Sequence, residues 1–125
     1  MDDRKNIIGP YLDEHQNPWI NINVKLSMWV SISCVIDTGF SDGLALPKYY
    51  EKLFDNHIPL YNLQFEYANG EKEMKPIYTV KIKAFKKAYD TRMMFTDNST
   101  PLVGLKFLRD YAFFLELKND KISLI

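Results

Sequence analysis

The sequence is poor in cysteine. Its single one, Cys34, excludes an intrachain disulfide, and a position inside the apolar stretch VSISCVI marks it as a small core residue rather than a reactive thiol. Charge of one sign is also lacking: 16 Lys and Arg balance 16 Asp and Glu. With no net field, nothing draws the chain to nucleic acid or to an anionic membrane surface. No apolar run approaches the roughly 18 residues that a membrane-spanning helix needs. MDDRKNIIGP has neither the apolar stretch nor the small-residue cleavage site of an export signal. The expectation is a cytoplasmic protein that recognises its ligand by shape and apolar contact. Histidine is scarce too, and neither His15 nor His57 has a carboxylate or cysteine at metal-ligand spacing, so no metal or other cofactor is expected.

What the chain does have is strand-forming sequence. Its 125 residues suit one domain spanning residues 1 to 125, with no repeat, linker or low-complexity segment. Aromatics reach 14% and cluster with β-branched residues between Gly, Pro, Asn and Asp. WININVKLSM, residues 19 to 28, sets Ile20, Ile22, Val24 and Leu26 against Asn21, Asn23, Lys25 and Ser27, the period of a strand with one buried face. VSISCVI, residues 30 to 36, alternates less and reads as a strand buried on both faces. Pro47 opens a short helix over KYYEKLF. LYNLQFEY and MKPIYTVKIKAF flank ANGE, where Asn69 and Gly70 signal a hairpin, and Lys81 and Lys83 give the outgoing strand a wet face. TRMMF is a further strand. PLVGLKFLRDY runs from an apolar triplet through a glycine into a short amphipathic helix through Leu105 and Leu108, and AFFLEL, a turn at KND and KISLI close the chain.

One stretch carries possible chemistry. In VIDTGFSDGLALP, Asp37 ends an apolar strand and is followed by Thr38 and Gly39, the glycine permitting a backbone turn closed to other residues. The residues leave two roles open: an Asx turn, in which the carboxylate accepts its own backbone amides, or half of a catalytic pair. Asp42 reads as a solvated turn residue.

An apolar strand, DTGF, Leu-Ala-Leu-Pro, a glycine-tipped hairpin, and a late apolar-apolar-Gly before a short helix occur here in that order. With the lead-in IIGPYLDEHQNPWINI, this pattern resembles the retropepsin-like aspartic proteases, more narrowly the small single-domain prokaryotic type with a DTGF motif, over residues 7 to 125. The resemblance implies a mostly β, retropepsin-like acid-protease barrel with a short helix near the C-terminus and one active-site half per subunit. It implies an aspartic endopeptidase acting as a homodimer on a peptide or protein substrate, with Asp37 facing its own copy across a two-fold axis and no metal. Thr38 would lock the two turns together, and Gly39 would let the backbone amide approach the carboxylates. Leu102, Val103 and Gly104 would support the turn, Gly104 leaving room for the crossing chain and residues 105 to 110 forming the helix. Tyr67, Ala68, Asn69, Gly70 and Glu71 would form a flap over the substrate. The N-terminal segment and KISLI would join an intersubunit sheet.

Phe40 departs from the small residue that most of these proteases carry after DTG. Either Ser41 supplies the missing hydroxyl, or the pair titrates at a less acidic pH, or catalysis is poor, with Phe40 walling a substrate pocket instead. The rival readings are a dimer of the same fold that binds an extended peptide or protein partner without cutting it, and an unrelated small β-barrel in which DTG is only a turn.

Overall fold

The computed structural model describes residues 9–54 and 57–125. Ten strands carry most of the chain: β1 (Tyr11–Leu12), β2 (Pro18–Lys25), β3 (Trp29–Ile36), β4 (Leu44–Pro47), β5 (Tyr61–Glu66), β6 (Lys72–Ala84), β7 (Lys87–Thr96), β8 (Leu102–Val103), β9 (Phe113–Glu116) and β10 (Lys121–Leu124). Among the described residues, helix is limited to α1 (Leu105–Leu108) and to 3-10 turns over Lys48–Leu53 and Leu117–Asn119. No helix among the described residues is long and apolar enough to cross a membrane.

Eight strands form one sheet in the order β1-β2-β3-β8-β4-β7-β6-β5, and a further pairing of β2 with β6 closes six of them into a barrel. Alternation explains the lumen. Ile20, Ile22 and Val24 of β2, Ile32, Cys34 and Ile36 of β3, and Val80 and Ile82 of β6 all point inward and are buried with Leu44, Leu46, Met93, Phe95 and Val103. Lys81 and Lys83 lie on the wet face, as their alternation predicts.

β3 corrects the expectation of a strand buried on both faces. Ser31 and Ser33 are exposed and only Ile32, Cys34 and Ile36 are fully buried. The two serines mark a face left open to water, because β3 runs antiparallel beside β2 and shares its single inner face. A three-residue connection at Leu26, Ser27 and Met28 joins the two strands, so β2 ends earlier than its apolar period suggests.

β5 and β6 form the expected hairpin, with a longer loop than a two-residue Asn-Gly turn. Gly70 N–H donates to the Tyr67 carbonyl at 2.9 Å and Tyr67 N–H to the Glu71 carbonyl at 2.8 Å. Within that loop only Gly70 takes a left-handed φ, +86°. The two-residue turn lies instead between β6 and β7, where Phe85 and Lys86 have φ of 52° and 68°. Non-glycine residues pay strain there; the Phe85 ring offsets it by packing on the core and edge-on to Tyr111.

α1 is one turn long, shorter than the expected span of 105 to 110, and buries Phe107 and Leu108 while Leu105 is 47% exposed. The aromatic at 107 reaches the core between Tyr89 and Tyr111, which displaces Leu105 to the surface. β10 pairs antiparallel with β9 inside the same chain. The N-terminal segment named as its intersubunit partner lies, over residues 1 to 8, outside the described residues.

Candidate active site

Residues 37 to 43 form an arch from β3 to β4, two strands that are not neighbours. β8 fills the place between them, parallel to β3 with Val35 opposite Leu102 and Ile36 opposite Val103, and antiparallel to β4. The Asp37 N–H donates to the Val103 carbonyl at 2.9 Å, so a strand from late in the chain holds the base of the arch. Gly104 N–H donates to the Gly43 carbonyl at 2.9 Å, and Leu105 N–H to the Phe40 carbonyl at 2.8 Å. A β-carbon on Gly104 would sit 2.4 Å from the carbonyl oxygens of both Phe40 and Asp42. Glycine is required there by close approach of two backbones.

Asp37 itself is half-buried at the start of a tight turn, whose Phe40 N–H donates to the Asp37 carbonyl at 3.1 Å. Its Oδ1 accepts the Gly39 N–H at 2.9 Å, and its Oδ2 has no hydrogen-bond partner among the described residues. The Asx-turn geometry is therefore present, and it leaves one carboxylate oxygen available. Gly39 does not adopt a left-handed φ, contrary to the turn expected for it. Its Cβ position lies 3.2 Å from Asp37 Oδ1, so the absence of a side chain gives the carboxylate room rather than the backbone freedom.

The structure brings Asp37, Thr38, Gly39 and Phe40 together with Leu102, Val103 and Gly104. Thr38 is exposed, as are Tyr67, Ala68, Asn69 and Gly70 at the hairpin tip. The hairpin joins the arch lower down. Phe40 packs in a second apolar cluster with Ala45, Ile77, Met94 and Leu102 and with Tyr61, Leu63 and Phe65 of β5. Ser41 is exposed and makes no hydrogen bond to Asp37.

Asp42 overturns the reading of a solvated turn residue: it is 5% exposed. Arg92 of β7 grips it with both edges of its fork, Nε to Oδ1 at 3.0 Å and Nη2 to Oδ2 at 2.8 Å, while Gly43 N–H donates to Oδ1 at 2.8 Å. Burial pushes the Asp42 carboxyl up, but the Arg92 and Gly43 hydrogen bonds and the charges of Arg92 and Lys106 outweigh it and hold the group below its ordinary value. The remaining guanidinium nitrogen, Nη1, donates to the Tyr61 hydroxyl. Sequence reasoning passed over Arg92. Its signal was a lone cation beside two methionines in TRMMF, a place where a buried strand needs a counter-charge.

Among the described residues no cluster of His, Cys, Asp and Glu could hold a metal ion. His57 is exposed with its ring 3.7 Å from that of Phe54. Cys34 is fully buried, which pushes its thiol well above the ordinary range.

Comparison with known proteins separates fold from sequence. No family model and no curated protein matches the chain at the level of sequence. Among solved structures, a retropepsin-like aspartic protease from Rickettsia conorii superposes with a TM-score of 0.71 at 25% identity, over 94% of this chain and 88% of that one. EIAV protease, solved with the inhibitor HBY-793, gives 0.60 at 18% identity over 78% and 90%. Simian foamy virus (mac) protease gives 0.57 at 11% identity over 73% and 91%. The barrel with its arch is thus the fold of small aspartic proteases. More narrowly, the chain has the retropepsin-like fold, with a short helix after Gly104.

Proposed function

We propose that this chain is an aspartic endopeptidase that acts as a homodimer in a reducing compartment. The observation that carries this reading is Asp37, held at the base of a hydrogen-bonded arch with one oxygen engaged by Gly39 and the other unengaged among the described residues. One chain supplies one such carboxylate, so the chemistry needs a second copy. Two Asp37 side chains brought together cannot both ionise easily and would share a proton, the established behaviour of aspartic-protease pairs. The ionised member would take a proton from water as it attacks the peptide carbonyl, and the protonated member would hydrogen-bond the carbonyl oxygen. Exposed Thr38 is free to bond across the axis. The β5–β6 hairpin would cover an extended peptide as a flap, offering Tyr67 to Gly70 at its tip, and Phe40 with Leu63, Phe65 and Leu102 would wall an apolar subsite.

A second reading, a peptide-binding dimer that does not cut, is favoured by Phe40 and by a Ser41 that does not reach Asp37. A peptide-library digest scanned from about pH 4 to 7, the range in which such a pair holds one proton, separates the two. Cleavage by the native chain and none by Asp37→Asn supports the endopeptidase; a folded dimer that cuts nothing at any pH supports the binding protein.

A further inference from the structure

Asp42 belongs to the arch and Tyr61 to the first strand of the hairpin, and no hydrogen bond joins them directly. Arg92 reaches both. It stands opposite Thr79 on β6, and Tyr61 stands opposite Ile77, two residues away on the same strand. One side chain therefore spans from β7 past β6 to β5. Its guanidinium lies 5.5 Å from the Tyr61 ring centroid, close enough to be held by the ring face as well as by the hydroxyl.

A guanidinium is planar, so its three nitrogens cannot be moved one at a time. Nε and Nη2 are committed to the Asp42 carboxylate and Nη1 to Tyr61. Displacing Tyr61 with the hairpin must tilt the fork on Asp42. Asp42 in turn holds the Gly43 N–H by its side chain and the Lys106 N–H by its carbonyl, at 2.8 and 3.2 Å. Phe40, three residues beyond Asp37, completes the chain of contact by packing on the same apolar cluster as Tyr61.

We propose that Arg92 is a positioning residue that transmits the position of the β5–β6 hairpin to the arch bearing Asp37. The functional meaning of this linkage rests on the endopeptidase reading, in which hairpin closure would reset the carboxylate. The linkage itself is a property of the folded chain and is measurable without substrate.

The test is residue-resolved amide hydrogen exchange on the native chain, Tyr61→Phe, Arg92→Lys and the double variant. Tyr61→Phe removes only the hydroxyl. It is expected to speed exchange at Gly43 and Lys106 by about three- to tenfold, the range for one net hydrogen bond, with the amides of β2 and β3 unchanged. Arg92→Lys keeps the charge but loses the fork; it should produce at least the same acceleration, and adding Tyr61→Phe should then change Gly43 no further. Acceleration confined to residues 61 to 66, or effects that simply multiply in the double variant, overturns the proposal. Where the native chain cleaves a peptide, Tyr61→Phe should lower kcat at unchanged KM, and an unchanged kcat or a loss confined to KM overturns it. Coupled exchange in a chain that cleaves nothing sinks the endopeptidase reading and leaves the linkage standing.

Discussion

Gly104 passes so close to Phe40 that a β-carbon on the glycine would sit 2.4 Å from the Phe40 carbonyl oxygen. The obstacle is backbone and cannot swing aside. Gly104→Ala should destabilise the fold by about 1–3 kcal/mol, the usual cost of overpacking, and should loosen the arch first. Urea denaturation measures the first effect. Faster exchange of the Leu105 amide, which is bonded to Phe40, measures the second.

Asp37→Asn should leave folding stability within about 0.5 kcal/mol of the native chain, since an amide oxygen can still accept the Gly39 N–H. Peptide cleavage should vanish. A variant that cut at the native rate would remove Asp37 from the chemistry. Sedimentation of the native chain provides the companion measurement: a monomer at every concentration tested would leave Asp37 without the second carboxylate it needs.

Arg92→Ala should cost about 3 kcal/mol, the low end for breaking a buried pair because the arginine is itself partly exposed. The loss should depend on pH in a defined sense. Asp42 is held below its ordinary value of 3.8 in the folded chain. Its stabilising contribution is complete above 3.8 and is lost as the pH falls through the depressed folded value. Denaturation midpoints of the native chain should therefore drop below pH 4, and those of Arg92→Ala should drop less over the same interval.

Asp13 gives an optical signal of the same kind. It accepts the Trp19 indole N–H at 2.8 Å and the backbone amides of His15 and Asn17, each at 2.9 Å. The Trp19 bond is the leading cause that lowers its pKa to about 2. The anchor is complete above 3.8 and is lost as the pH falls through about 2. In a Trp29→Phe background, Trp19 fluorescence should hold steady from pH 6 to 4 and change toward pH 2, and Asp13→Asn should flatten that change.

Strand β2 was readable in the sequence because Ile20, Ile22 and Val24 alternate with polar residues, whereas its closure into a barrel was expected only from the resemblance. The turn and the strand packed beneath it were expected through the short motif and the apolar pair before Gly104, whose position is too crowded for a side chain without strain. The Phe85–Lys86 turn was not, since its strain is offset by a ring packing far along the chain on Tyr111. Asp42 and Arg92 were missed for a related reason. Asp42 looks solvated when its neighbours are read one at a time, and its burial against Arg92 makes sense only once β7 lies beside the arch, 50 positions away in sequence.

The insertion of β8 between β3 and β4 also sets an order of events during synthesis. A growing chain on the ribosome can pair β2 with β3 early, but until Leu102 and Val103 emerge the Asp37 amide lacks its Val103 partner. The carboxylate reaches its final setting only after residue 103, 66 positions beyond it, has been made. A nascent chain that stops short of β8 would then carry the DTG sequence without the arch on which the proposed chemistry rests.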